Sequence, residues 1–371
     1  MRIGLRFLFV ILLISSLLFS LNSCSDGAGP GESFDRTALL TNYSNNLIIP
    51  RYQTLVDQSN ALSTAVNDFT AVPNLSNLQA LRATFQSSYL AWQACSFFEF
   101  GPAADVALRT YLNTFPTDTA LINSNISAGG YNLDAASNID ATGFPAMDFL
   151  LFGTGNTEQD VLPYFNQQDS IARRQYLIDI SDQIQMLSTN VLTNWQNSYG
   201  AEFISRNGTD VGSSLSLLIN EMNRDYERFI RDGKVGIPLG VRSLGTPQLD
   251  KIETPYSQIS IELATESLNQ MQTAFNGISP TGIEGLGLND YLDAVGASHN
   301  GEDLSVKIND QFQLILTELS NLNEPFQNEI LNNKPAVQST YDRMQQLVVY
   351  FKVDMTSALG ILITYQDSDG D

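Results

Sequence analysis

The chemistry open to this chain rests on carboxylates, a single imidazole and two long irregular stretches that could bring them together. The segment Gly143-Phe144-Pro145-Ala146-Met147-Asp148-Phe149-Leu150-Leu151-Phe152-Gly153 sets a carboxylate, Asp148, three residues after Pro145. That spacing puts the two side chains on one helical face. Pro145 has no ligating atom, but proline is favoured in the first turn of a helix, where its missing N–H costs nothing. Asp148 is then expected in that same turn, with its charge toward the positive end of the helix dipole. The one histidine, His299 in Ala-Ser-His-Asn-Gly, reads as an exposed and solvated loop residue. A single histidine leaves no H-E-x-x-H helix and no histidine cluster that could hold zinc with an open catalytic position. A Ser-His-Asp triad through His299 has no nucleophile elbow to support it. Gly285-Leu286-Gly287 follows no strand, so it marks no phosphate or dinucleotide loop. The run Asp367, Asp369, Gly370, Asp371 lacks the distal glutamate of a calcium loop and reads as a solvated tail.

The elements that must position these groups are helical nearly throughout. A first helix is expected from Asp35 to about Phe69, broken or kinked at Pro50. Ser76 can cap a second, whose apolar positions Leu78, Leu81, Phe85, Tyr89, Trp92 and Phe98 recur at mostly three- and four-residue steps until Gly101-Pro102 stops it. A third stripe follows Asp169 through Ile171, Leu177, Ile180, Ile184, Leu187, Val191 and Trp195. Ser213–Ile230, Ile259–Phe275, Asp303–Leu322 and Ala336–Leu359 continue the pattern, and no segment alternates with period two over a strand's length. The fold class is therefore all-α. Residues 117–142 and the Gly- and Pro-rich 232–257 interrupt the helices, and stretches this long in a compact helical protein are often functional or wrapped over a neighbouring domain.

Met1–Ser23 has the form of a secretory signal: Arg2 and Arg6 precede an apolar core, Phe7–Leu21, shorter than a membrane span needs. Leu21-Asn22-Ser23-Cys24 has the form of a bacterial lipobox, with Cys24 as the acylated residue and residues 24–34 as a polar tether. Removing residues 1–23 leaves 371 − 23 = 348 residues and 17 basic against 40 acidic side chains, or −23. That charge excludes a nucleic-acid binder as the default and suits a soluble body held to the membrane by acyl chains. Cys95, between Trp92 and Phe98, is expected as a small buried hydrophobe without a disulfide partner. The length favours two domains, 35–205 and 206–371, divided near Gly200, Gly208 and Gly212.

Ile49-Pro50-Arg51-Tyr52, Trp92-Gln93 with Phe97-Phe98-Glu99-Phe100-Gly101-Pro102, Gly143–Gly153, Gly236-Ile237-Pro238-Leu239-Gly240, Glu253-Thr254-Pro255-Tyr256-Ser257 and Lys352-Val353-Asp354-Met355 follow one another along the chain. In this order and over this length they resemble the imelysin-like (peptidase M75) family. The Gly143–Gly153 segment is similar to that family's G-x-H-x-x-E signature, with Pro145 in the histidine position and Asp148 in the glutamate position. The resemblance implies two packed helical-bundle domains with the signature near their junction, in an envelope protein of bacterial iron uptake. It implies, as a candidate set, that Asp148, Glu99, Glu253 and Asp354 converge with Tyr256 and Ser257 where the loops pack on the junction. Oxygen ligands of this kind suit ferric iron, calcium or magnesium better than zinc. Simpler uses stand beside that one: Glu99 can pair with an arginine, and Glu253 can cap a helix beginning at Pro255. The resulting first reading is a non-catalytic lipoprotein of the outer membrane, facing the periplasm or the cell surface, that binds iron or haem or assists their transport components. An M75-type peptidase and a partner-binding module without ligand are the alternatives, the former weakened by Pro145.

Overall fold

Helix α1 starts where Asp35 accepts the Ala38 N–H at 2.9 Å and runs over residues 36–71 without a break at Pro50. The computed structural model describes residues 34–155, 157–167 and 170–365; the expected signal segment, Cys24, the expected tether up to residue 33 and the acidic tail after Tyr365 lie outside the described residues. Between Arg36–Asn42 and Ile49–Ala71 the helix widens into a π-helical turn, Tyr43–Ile48, in which the Ile49 N–H reaches back five residues to Ser44. Proline breaks a regular helix because it has no N–H and its ring meets the carbonyl four residues back. The wider turn just ahead of Pro50 shifts that carbonyl, so the expected break becomes a bulge.

Helix α2, Leu75–Gln93, is capped by Asn74, which accepts the Asn77 N–H at 2.9 Å; Ser76, the expected cap, lies inside the first turn. It ends at Gln93, well before Gly101-Pro102. Phe97, Phe98 and Phe100 all face the core, which consecutive helical positions could not achieve, and a short 3-10 turn, Ser96–Phe98, turns them inward. Gly101 is held at φ +52°, where a Cβ would fall 2.2 Å from the Tyr199 ring. Cys95 is buried, with Sγ against the Ala91 and Trp92 carbonyls at 3.5 Å.

Helix α3 covers residues 143–153, as Gly143–Asp148 followed by a π-helical turn, Phe149–Gly153. Helix α4 covers residues 170–205, again with a π turn at Trp195–Tyr199. Its apolar stripe is buried from Leu177 to Trp195, while Ile171 in the first turn is 73% exposed. Helix α1 packs on both α2 and α4, and α4 carries α3. The stretch 117–142, expected as a loop, holds a helix, Thr119–Ala128, whose first N–H groups are met by Asp118.

The second group of helices comprises α5 (residues 214–239), α6 (Ser260–Phe275), α7 (Leu304–Ser320) and α8 (residues 334–359). Helix α7 packs on α6 and α8, and α8 on α5. Ser213 caps α5, which continues past Ile230 through a π-helical stretch, Asp225–Gly236, so the first third of the expected 232–257 loop is helical. Gly236 does not break it; a Cβ there would lie 2.6 Å from the Tyr341 ring, so the glycine marks the close approach of α5 to α8. Two short strands, β1 (Ser298–His299) and β2 (Glu302–Asp303), form an antiparallel hairpin whose turn residues Asn300 and Gly301 both have positive φ.

The two groups share contacts rather than meeting at a narrow neck. Helix α6 packs on α2; Tyr43 of α1 donates to the Ala274 carbonyl at 2.6 Å, and Arg51 to Thr273 Oγ1 at 2.9 Å. By contacts, residues from Asp35 onward form one unit; the division expected near 205/206 falls in the segment 206–213, between α4 and α5. Among the described residues no helix is long and apolar enough to cross a membrane.

Candidate functional site at the signature segment

Helix α3 begins at Gly143, two residues earlier than Pro145 suggests. Gly143 has φ +71°, and a Cβ would stand 2.4 Å from the Leu112 carbonyl oxygen, so the chain must enter the helix there through a glycine. Thr142 before it is extended and donates to Gln183 Oε1 at 2.6 Å. Pro145 is thus the third residue of the helix and Asp148 the sixth, outside the first turn. The carboxylate of Asp148 serves a different purpose from the expected dipole contact. It is fully buried, Oδ1 accepting the Ser257 N–H at 2.9 Å and Oδ2 the Tyr256 N–H at 3.2 Å. Burial pushes its carboxyl up to about 7; the bonds from Ser257 and Tyr256 oppose the rise and the charge of Glu253 adds to it.

The same segment seats the Tyr256 side chain. The Phe149 and Tyr256 rings lie 5.6 Å apart, and at Gly153 a Cβ would meet Tyr256 Cδ1 at 2.7 Å and Phe149 Cδ2 at 2.8 Å. Behind the segment, Phe144 stacks on Tyr89 of α2 at 4.6 Å and 11°, a pair worth about 0.5–1.5 kcal/mol beyond its burial.

Glu253 is nearly fully buried and anchors the other wall. Its Oε1 accepts from Asn113 Nδ2 at 2.9 Å, Tyr89 OH at 3.3 Å and Gln93 Nε2 at 3.3 Å, and its Oε2 pairs with Lys234 Nζ from the π stretch of α5. It caps no helix: helix α6 starts at Ser260, not Pro255. Between these walls lies a cavity of about 300 Å³, lined by Pro116, Thr117, Thr119, Pro145, Asp250, Ile252, Glu253, Pro255 and Tyr256.

The other two predicted carboxylates are elsewhere, and the four do not converge. Glu99 accepts the backbone N–H of Arg109 at 3.0 Å and, among the described residues, does not form the expected ion pair with an arginine side chain. Arg109 bridges Glu221 at 3.2 Å and Asp225 at 2.8 Å, lies over the Phe229 ring, and leaves Arg224 to pair with Glu221 at 2.9 Å. Burial pushes Glu221 up to about 7 and raises Glu99 and Asp225, with Arg109 opposing the rise in each. Asp354 sits 2.8 Å from His299 Nδ1, and the imidazole also packs edge-on against Tyr350. His299 is thus a half-buried partner of α8, not a solvated loop residue, because the β1–β2 hairpin presses it onto that helix. Among the described residues no group of three or more His, Cys, Asp or Glu side chains is placed to hold a metal ion.

Lys234, Arg109 and Asn113 were not singled out in the sequence, and Gln93 entered only within the Trp92-Gln93 stretch of the resemblance, yet they surround the buried carboxylates. The available signal was charge context: a lysine inside Gly-Lys-Val-Gly and an arginine inside Ala-Leu-Arg-Thr-Tyr-Leu, in a chain with 19 cations against 40 acids. A cation embedded in an apolar run of such a chain has a partner to meet.

With this geometry in view, comparison with known proteins is informative. The family model of Peptidase M75, imelysin, matches residues 48–350. Among solved structures, an iron-regulated protein A precursor from Parabacteroides distasonis ATCC 8503 superposes with a TM-score of 0.73 at 16% identity, covering 90% of this chain and 97% of that one. An imelysin-like protein from Psychrobacter arcticum 273-4 superposes with a TM-score of 0.69 at 18% identity, covering 89% of this chain and 97% of its own. No curated protein sequence matches the chain. The family match spans well over half of the sequence, the all-α fold agrees with it, and the chain belongs to the imelysin (peptidase M75) family.

Proposed function

We propose that this chain is a lipid-anchored envelope protein that serves iron or haem acquisition as a binding component rather than as a peptidase. The observation that carries the non-catalytic part is the state of the signature segment. Pro145 has no ligating atom, and both oxygens of Asp148 are occupied by the backbone N–H groups of Tyr256 and Ser257. A carboxylate so used positions a loop and is not poised to activate water. The iron role is supported by membership of the imelysin family and by the likeness to a protein named as iron-regulated. The anchor is supported by the lipobox form around Cys24, which lies outside the described residues.

Deletion of the gene is expected to lower ⁵⁵Fe accumulation in chelator-treated cells, with recovery on complementation. Unchanged accumulation from both ferric and haem iron would reject the iron role. Labelled palmitate is expected in the wild-type protein and not in Cys24→Ala. Cleavage of a peptide library by the purified protein, lost in Asp148→Ala with the fold intact, would reject the non-catalytic reading.

A further inference from the structure

We propose that Tyr256 is the recognition residue of the junction cavity, held in place by the signature segment, and that the cavity takes an uncharged, hydroxyl-bearing organic molecule about the size of one pyranose ring. This rests on reading the cavity as a binding site, and it concerns what binds there.

Three of the signature positions converge on Tyr256. Asp148 accepts its backbone N–H, Phe149 packs on its ring, and Gly153 leaves the space its ring occupies, since any Cβ there would sit within 2.7 Å of it. One loop residue is thus fixed in backbone and in side chain, which is the order expected of a group that meets a ligand. The fixed ring forms part of the cavity wall, and its hydroxyl has no hydrogen-bond partner among the described residues. Thr119, across the cavity at the start of its helix, also has a hydroxyl without a partner among them, whereas the Thr117 hydroxyl is spent on the Asp140 carbonyl at 2.8 Å. Burial and the nearby Asp148 charge hold the Tyr256 phenol above its ordinary range, so it is present as a neutral donor.

Charge decides the ligand class. Two acids line the cavity: Glu253 is buried and paired with Lys234, whereas Asp250 is an exposed rim carboxylate that meets its neighbour Lys251 at 3.1 Å through one oxygen. The lone pairs of Glu253 are further taken by Asn113, Gln93 and Tyr89. A bare cation would find a single open carboxylate, the rim Asp250, with no group of three ligating side chains among the described residues, and an anion would meet that same charge. What the wall offers is three prolines, Ile252, one aromatic face and two free hydroxyls. A few placed polar groups among apolar ones is the composition of a small-molecule site, and about 300 Å³ is the lower end of the usual size. A sugar ring has C–H faces for Tyr256 and the prolines and hydroxyls for Tyr256 and Thr119.

The test is saturation-transfer NMR and calorimetry on the full-length protein, in a detergent with no sugar headgroup. The probes are glucose, galactose, mannose and N-acetylglucosamine, with glucosamine, glucuronate and ferric citrate as charged controls. Saturable binding of at least one neutral sugar is expected, weaker by about fivefold in Tyr256→Phe, which removes one hydrogen bond and little else, and lost in Tyr256→Ala. Gly153→Ala should weaken binding too; if that variant does not fold, Tyr256→Phe decides alone. Binding unchanged in both Tyr256 variants, tighter binding of a charged control, or no saturation by any neutral sugar would overturn the inference. An iron-uptake defect together with no sugar binding would sink this inference only, and sugar binding without such a defect would sink the iron role only.

Discussion

Replacing Lys234 by methionine should destabilise the protein far beyond what the loss of one surface charge would do. Lys234 is 5% exposed and Glu253 2% exposed, and the two are partners in an ion pair. Asn113, Gln93 and Tyr89 all donate to Oε1, so the lysine ammonium is the partner that Oε2 loses. Breaking a buried pair by removing one member costs about 3–5 kcal/mol, because the remaining charge is left in a poorly solvating interior. Glu253→Gln, which keeps an oxygen for Asn113, should cost a similar amount through the stranded ammonium. The double variant restores neutrality and should cost clearly less than the sum, with a coupling of about 2 kcal/mol or more. Urea unfolding followed by the fluorescence of buried Trp92 and Trp195 gives all three values on one scale. A cost below about 1 kcal/mol for Lys234→Met, or strict additivity in the cycle, would refute the assignment of this pair as buried and coupled.

Three further outcomes follow from the same geometry. Arg109→Met strands Glu221 and Asp225 together while keeping the backbone N–H that Glu99 accepts, so it should cost at least as much as Lys234→Met, and thermal unfolding would show it. Asp148 and Glu221 rise from 3.8 and 4.5 to about 7, so between about pH 4 and 7 the native state holds protons more tightly than the unfolded chain. Stability should therefore fall as pH rises through that window, by up to about 1.4 kcal/mol per pH unit for each group, and denaturation profiles of Asp148→Asn and Glu221→Gln should be flatter there. Gly236→Ala forces a Cβ to within 2.6 Å of the Tyr341 ring and should cost about 1–3 kcal/mol by overpacking, whereas Gly129→Ala, with open space around it, should show only the cost of its positive φ.

Much of the fold was legible because amphipathic helices announce themselves locally. The stripes from Leu78 to Trp92 and from Leu177 to Trp195 are buried as their spacing predicts. The errors gather where a tertiary contact outweighs local preference. Pro50 does not break α1 because a π turn relieves its clash, and Gly236 continues α5 because it lets Tyr341 approach. Helix α2 stops early because three phenylalanines must all turn inward.

The sequence by itself determined the fold class, the family frame and the position of the signature segment, since these depend on periodicity and on motifs read along the chain. It also supplied the acidic balance and the loss of the histidine position at Pro145. Which carboxylates share a site was decided by the tertiary structure alone. Asp148 and Glu253 line up around one loop, Asp354 goes to His299, and Glu99 goes to the backbone of Arg109, whose side chain reaches Asp225, 116 residues away, where α5 packs against the turn after α2. A carboxylate's role depends on the donors that reach it through space, and no local pattern in the chain encodes those distances.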